Sequence, residues 1–250
     1  MVTNLYGELG GHDQRTLRRP ERALAVGAHP DDIEFGAGGT LARWAAEGTE
    51  VTMLIVTDGS KGTWDPSVST HALVAARKDE QLNAAHALGA AHVIHLDHVD
   101  GELEYSMALR AEMCRQVRLA RPGVVLTHDP WQRYQLHPDH RVAGLGVVDG
   151  VVAARDHLFF VEQGLAAHRP DALLLWSADE HDHWEDIVTT VDTKIRALLM
   201  HSSQGTSTMG GADQDELRRQ AFADRIRGWA REQGHEAGLV CAETFKRLTP

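Results

Sequence analysis

The sequence predicts an α/β protein built on a doubly wound, mostly parallel sheet. Short apolar runs alternate along the chain with longer segments whose apolar residues recur at helical spacing. Several of these runs are nearly continuously apolar and β-branched, which suits parallel strands covered on both faces. The links between them are short, and the 250 residues show no internal repeat and no low-complexity tract. One domain over residues 1–250 is therefore expected.

Each element follows from its local pattern. Residues 1–21 are polar and glycine-bearing and read as an irregular N-terminal arm. Arg22 to Ala28 (RALAVGA) reads as a short buried strand. Gly39 to Gly48 has helical spacing and ends on a glycine suited to the position after a helix. Glu50 to Gly59 reads as a central strand, Thr70 to Ala90 as a helix ending at Gly89, and His92 to Leu96 as a strand. Residues 106–122 form a helical pattern stopped by Pro122, and Gly123 to Asp129 a strand. Residues 138–155 read as a helix with Pro138 in the first turn, where proline is tolerated. Ala172 to Trp176 is a strand, and residues 189–202 and 213–234 are helical. His201 to Glu216 is the most loop-like interior stretch and suits either a lid or a plain connection.

Composition narrows the function. A formal net charge of -11 disfavours nonspecific nucleic-acid binding and anionic membrane surfaces, both of which need Lys and Arg. No apolar run reaches membrane-spanning length and the N-terminus lacks an apolar signal core, so a cytoplasmic protein without membrane insertion is expected. Two cysteines, Cys114 and Cys241, cannot build a disulfide framework and read as reduced thiols, Cys114 in the core. Sixteen histidines is a high count, which prompts a search for clusters.

In an open α/β sheet, ligands sit beyond the carboxyl ends of the strands. The loops to read therefore begin near His29, Asp58, Asp97, His128 and Ser177. The first carries HPDD, His29 to Asp32. An aspartate there can cap a helix start. A cap explains one aspartate but not the histidine beside two of them, and adjacent carboxylates repel unless a cation or proton intervenes. His and Asp donors together suit zinc. Taken alone, HPDD leaves cap and metal site equally open. The second cluster, HPDH (His137 to His140), falls in another strand-following loop. At a helix start its two histidines share a face, one placed to bind a metal and the other to reach a ligand. A nucleotide loop fits poorly, because AHPDDIEF separates the strand from GAGGT and two carboxylates would repel a pyrophosphate. There is no Walker A sequence and no G-x-S-x-G elbow, and neither cysteine lies in a polar strand-end loop. Water activated by a metal is the better nucleophile.

The segments AVGAHPDDIEFGAGGTL, VTDGSKG, RKDEQLNAAHALGA, LTHDPWQRYQLHPDHRVAG, KIRALLMHSSQ and AETF, in this order from about Ala23 to Phe245, resemble the GlcNAc-PI de-N-acetylase (PIG-L or LmbE-like) family. That family includes deacetylases of the mycothiol pathway and of antibiotic sugars. The resemblance implies a Rossmann-like sheet with helices on both faces, and zinc-dependent removal of the acetyl group from an N-acetylglucosamine-type amino sugar. By motif position it implies His29, Asp32 and His140 as metal ligands, with another divalent ion such as Fe2+ also compatible. It implies Asp31 as general base, His137 as oxyanion stabiliser or acid, and Arg77 and Asp100 as substrate contacts. A small-molecule amino sugar is the partner implied, and a homo-oligomer is compatible with the sequence. The alternatives are an amidase acting on a larger amide conjugate and a non-catalytic metal- or sugar-binding module. The second has no need of a spare carboxylate such as Asp31.

Other polar features have plainer readings. HDHWED (His181 to Asp186) reads as a solvated loop rather than a second metal cluster, and Glu80 is placed to pair with Arg77 three residues away. His201 suits either the pocket or packing of a helix end. Trp64, Trp131 and Tyr134 lie in strand-end loops, available to stack on a sugar or to cover the sheet.

Overall fold

In chain order the elements are β1 (Arg22–Gly27), α1 (Asp32–Ala46), β2 (Glu50–Thr57), α2 (Thr70–Leu88), β3 (His92–His98), α3 (Met107–Ala120), β4 (Val124–His128), α4 (Pro138–Arg155), β5 (Ala172–Trp176), β6 (His183–Asp186), α5 (Val191–Leu198), α6 (Glu216–Glu236) and β7 (Ala242–Leu248). They come from a computed structural model that describes residues 17–250. Of the arm expected over 1–21, only 17–21 fall within these residues, and they carry no regular structure. Among the described residues the strands form one sheet in the order β3-β2-β1-β4-β5-β7-β6. The first five run parallel, and β7 is antiparallel to both β5 and β6. This is the doubly wound α/β architecture expected, with an antiparallel C-terminal edge.

Alternation along the strands feeds two cores. Ala23 and Ala25 of β1 face Ile33, Leu41 and Trp44 of α1 and Leu88 of α2. Leu24 and Val26 face Met113 and Val117 of α3 and Val147 and Val151 of α4. Successive side chains on a strand point to opposite faces, so every central strand must be apolar throughout. A third cluster joins Val191 and Ile195 of α5 to Phe222 and Ile226 of α6. Cys114 and Cys241 are both buried and free. No helix among the described residues is long and apolar enough to cross a membrane.

Helix α1 starts at Asp32, not at Gly39, and takes the whole glycine cluster into its interior. Close packing explains why. A Cβ on Gly36 would lie 2.4 Å from the Trp176 ring, and one on Gly39 would lie 2.8 Å from Ile187. The glycines cost roughly 1 kcal/mol each in helix propensity, but they let α1 settle directly onto the sheet and the α5 region.

The C-terminal edge departs from the expected pattern. HDHWED is not a solvated loop: His183–Asp186 is strand β6, with His183 and Glu185 fully buried. Glu185 accepts from Leu17 N (2.9 Å), pairs with His183 Nε2 (2.7 Å) and bonds Arg43. Charged residues that face inward and are paired there conceal the strand from a hydrophobic-pattern reading. Glu80 also differs from expectation. Its carboxylate accepts from Ser202 Oγ and from the amide and hydroxyl of Ser203, at 2.7 to 2.8 Å, and so ties α2 to the turn after α5 rather than pairing with Arg77.

One buried network fastens β7 to the helix that carries the first motif. Glu243 accepts from Gly39 N (2.9 Å), Thr40 N (2.8 Å), Thr40 Oγ1 (2.6 Å) and Lys194 Nζ (2.6 Å). Removing one partner of a buried pair strands the other charge. Glu243→Ala should therefore cost about 3–5 kcal/mol, read as a lowered midpoint in urea unfolding. An unchanged midpoint would show that the network is not holding the C-terminal edge.

Candidate metal centre and active site

The chain leaves β1 toward β2 on one side, while β4 leads to β5 on the other, so the order reverses between β1 and β4. Ligand crevices open at such switch points. HPDD follows β1 and runs into the start of α1, and HPDH follows β4, with His137 capping α4 and the other three residues in its first turn. Topology thus brings together two motifs more than a hundred residues apart.

His29, Asp32 and His140 converge there. His29 Nδ1 lies 3.3 Å from Asp32 Oδ2 and 3.2 Å from His140 Nε2, and His140 Nε2 lies 3.2 Å from Asp32 Oδ1. Donors bound to one zinc at about 2.0–2.1 Å in a tetrahedron stand about 3.3 Å apart, so these three fit a single ion of that size. The tautomer of His29 agrees. Its Nε2 lies 3.2 Å from both Asp100 Oδ1 and Asp139 Oδ2. Two carboxylates hold a proton on Nε2, so Nδ1 is the nitrogen that faces Asp32 and His140, where a bound cation would take the place of a second proton.

Other groupings of donors lie within ligand distance: His29 with His137 and His140, Asp32 with His128 and His140, and His29 with Asp100 and Asp139. The last faces away from solvent, since Asp139 is fully buried and Asp100 is 4% exposed. Both aspartates also accept backbone amides, Asp139 from Gly101 (2.6 Å) and Asp100 from Lys61 (3.0 Å). Asp32 and His140, in contrast, line a cavity of about 460 Å3. A catalytic ion needs such an open side.

Asp31 lines the same cavity. It caps α1 in the left-handed region, φ 95°, where aspartate is better tolerated than most residues but still strained. The strain is held from behind. Arg77 Nη2 donates to Pro30 O (2.6 Å), Arg77 Nη1 donates to Gly59 O (3.1 Å), and Gln81 Oε1 accepts from Asp31 N (3.2 Å). Burial, with the Asp32 charge beside it, pushes the Asp31 carboxyl up to about 6, against the opposing Arg77 guanidinium 3.8 Å away. Burial works against charge on Asp32 too, but His140 and His128 hold its carboxyl well below the usual range. His29 is opposed by burial yet pushed up to about 12 by its bonds to Asp100, Asp139 and Asp32. The carboxylates thus call for positive charge at the point where the three donors meet, which a divalent cation supplies.

His137 caps α4. Its ring lies 4.4 Å from that of His29, edge-on, and stacks at 4.8 Å on that of His140. Burial and the neighbouring imidazoles push its pKa down, and its Nδ1 is buried without a partner. Arg77 and Asp100 do not line the cavity. Arg77 is 3% exposed and spent on the Asp31 loop, and Asp100 is spent on His29 and Lys61 N. Asp139 is the residue the motif reading overlooked. A carboxylate behind a ligating imidazole is a common companion, and its place inside HPDH was the available signal. His201 is fully buried, 3.5 Å from Glu34, whose carboxylate accepts from Gln81 Nε2 (2.6 Å). Trp64, Trp131 and Tyr134 are all strongly exposed.

Sequence and fold both resemble those of known proteins. Residues 24–151 match the family model PIG-L, GlcNAc-PI de-N-acetylase. The chain is 36% identical over 190 residues to diacetylchitobiose deacetylase of Thermococcus kodakarensis, covering 74% of this chain and 70% of that protein. It is 34% identical over 191 residues to 1D-myo-inositol 2-acetamido-2-deoxy-alpha-D-glucopyranoside deacetylase of Kineococcus radiotolerans, covering 62% and 53%. Its fold superposes on N,N'-diacetylchitobiose deacetylase from Pyrococcus horikoshii, solved with an inhibitor, with a TM-score of 0.83 and 28% identity over 92% of this chain and 84% of that one. The chain belongs to the PIG-L (GlcNAc-PI de-N-acetylase) family.

Proposed function

We propose that this protein is a zinc-dependent N-deacetylase that hydrolyses the acetamide of an N-acetylglucosamine-type amino sugar. The observation that carries the reading is the meeting of His29 Nδ1, Asp32 and His140 Nε2 within 3.3 Å of one another, with the spare carboxylate of Asp31 in the same cavity. The kinship with sugar deacetylases supplies the substrate class.

His29, Asp32 and His140 are the residues that would hold the ion. When bound, such a cation lowers the pKa of water toward about 7 and polarises a carbonyl oxygen. The chain's own groups do the rest. Asp31 accepts the proton of the attacking water as that water adds to the amide carbon. The same carboxyl, now protonated, then delivers the proton to the nitrogen, and the C–N bond breaks to leave a free amine and acetate. His137, beside His29 and His140, supplies an N–H to the oxygen that gains negative charge. Asp100 and Asp139 fix the ring of His29, and Arg77 holds the strained loop that presents Asp31. The sugar lies toward α6, where Arg225, Trp229 and Gln233 share the cavity wall at a spacing of one helical turn. Trp229 is 49% exposed there, with the Arg225 guanidinium over its ring at 5.5 Å and the Gln233 amide one turn on, so an apolar ring stands beside polar groups.

Three outcomes test the reading. Purified protein loaded with zinc should release acetate and free amine from N-acetylglucosamine glycosides. Release from bulky-acyl conjugates, with none from any acetyl sugar, would instead identify an amidase for larger amides. Asp31→Asn should keep stoichiometric zinc while kcat falls by about 10²–10⁴-fold, and full activity in that variant would remove Asp31 from the mechanism. His140→Ala should lose the metal on dialysis, and full zinc content measured by atomic absorption would refute the ligand set.

A further inference from the structure

We propose that His128 is a positioning residue that holds the Asp32 carboxylate, and that the indole of Trp176 fixes the His128 tautomer on which this hold depends. The proposal concerns how one residue of the metal set is oriented, and it rests on the reading of Asp32 as a ligand.

His128 is the last residue of β4 and is 4% exposed. Three groups contact its ring nitrogens. Trp176 Nε1 is aimed to donate to Nδ1 (3.1 Å), the amide of Ala28 is aimed to donate to Nε2 (3.2 Å), and Asp32 Oδ2 lies 3.2 Å from the same Nε2. Indole N–H can only donate, and an ionised carboxylate can only accept. Donors are aimed at both ring nitrogens, the Trp176 indole and the Ala28 amide, so at least one nitrogen keeps its lone pair and the ring carries a single proton. With that proton on Nε2, Nδ1 accepts from Trp176 and Nε2 donates to Asp32, so two of the three contacts are hydrogen bonds and the Ala28 amide gives up its acceptor. With the proton on Nδ1, two donors face each other at Trp176 and two acceptors face each other at Asp32, and only the Ala28 amide is served. The first arrangement is the stable one.

Two consequences follow. Nε2 is occupied by a proton, so His128 is kept out of the metal set even though it lies within ligand distance of Asp32 and His140. Asp32 Oδ2 also accepts from His29 N (2.7 Å), so this oxygen is pinned from two sides and Oδ1 is the one that faces His140 Nε2. The glycine cluster completes the device. Asp32 and Gly36 stand one turn apart on the same side of α1. Asp32 meets His128, and Gly36 lies over the Trp176 ring where any Cβ would come within 2.4 Å. A side chain at position 36 would displace the indole that orients His128.

Histidine-selective 15N NMR on the metal-free full-length protein reads the tautomer directly. The proposal expects His128 with its proton on Nε2 in wild type, and loss of that single tautomer in Trp176→Phe, which keeps an aromatic ring but removes the donor. A proton on Nδ1 in wild type overturns it, whether or not zinc binds. Zinc affinity by chelator competition is the second reading. His128→Ala should weaken zinc by about 10–100-fold, and His128→Gln, whose amide can donate to Asp32, should recover part of the loss, with melting curves confirming folded protein. Unchanged zinc affinity in His128→Ala, or a metal-bound Nε2 in the spectrum of the zinc-loaded protein, would overturn the proposal. Failure of wild-type protein to bind zinc while the Nε2–H tautomer is present would instead refute the metal centre itself.

Discussion

The imidazole of His29 is the constraint around which the rest of the site is arranged. One edge of the ring is fixed by two buried aspartates, Asp100 and Asp139, which place its proton on Nε2. Nδ1, on the other edge, faces Asp32 and His140. These contacts come from three parts of the chain: the start of α1 (Asp32), the segment after β3 (Asp100) and the first turn of α4 (Asp139 and His140). If any of them moved, the donors would no longer share one point in space.

The fold supplies this convergence through the reversal of strand order between β1 and β4. It also supports local strain. Asp31 occupies a left-handed conformation that an isolated helix start would not choose, and Arg77, Gln81 and the carbonyl of Pro30 keep it there. The neighbouring aspartates thereby acquire separate environments. Asp32 is surrounded by imidazoles that favour its charge, whereas Asp31 is buried, with a carboxylate neighbour that disfavours charge. Carboxylates in unlike surroundings titrate apart, which lets one stay charged while the other can take up a proton.

Much of this was legible in the sequence, and the exceptions have physical reasons. The apolar runs of β1, β2, β4 and β5 announce themselves because both faces of the sheet are covered. HPDD and HPDH stand out because their residue types suit one chemistry and both follow strands. Strands β6 and β7 were hidden, since His183, Glu185 and Glu243 are polar residues buried through pairing. The start of α1 was hidden because glycine propensity argues against a helix that tertiary packing against Trp176 and Ile187 requires. Asp139, His128 and the true partners of Arg77 and Glu80 depend on contacts between distant segments, which no local pattern encodes. The resemblance implied Arg77 and Asp100 as substrate contacts, but Arg77 turns toward the Asp31 loop and Asp100 toward His29 rather than the cavity.

The central claim is that a single cation is held on the Asp32 side of His29. Anomalous diffraction at the zinc edge from zinc-soaked crystals tests it most directly. The account predicts one strong peak between His29 Nδ1, Asp32 and His140 Nε2, open to the cavity that Asp31 lines. A peak on the Nε2 side of His29, between Asp100 and Asp139, would contradict it.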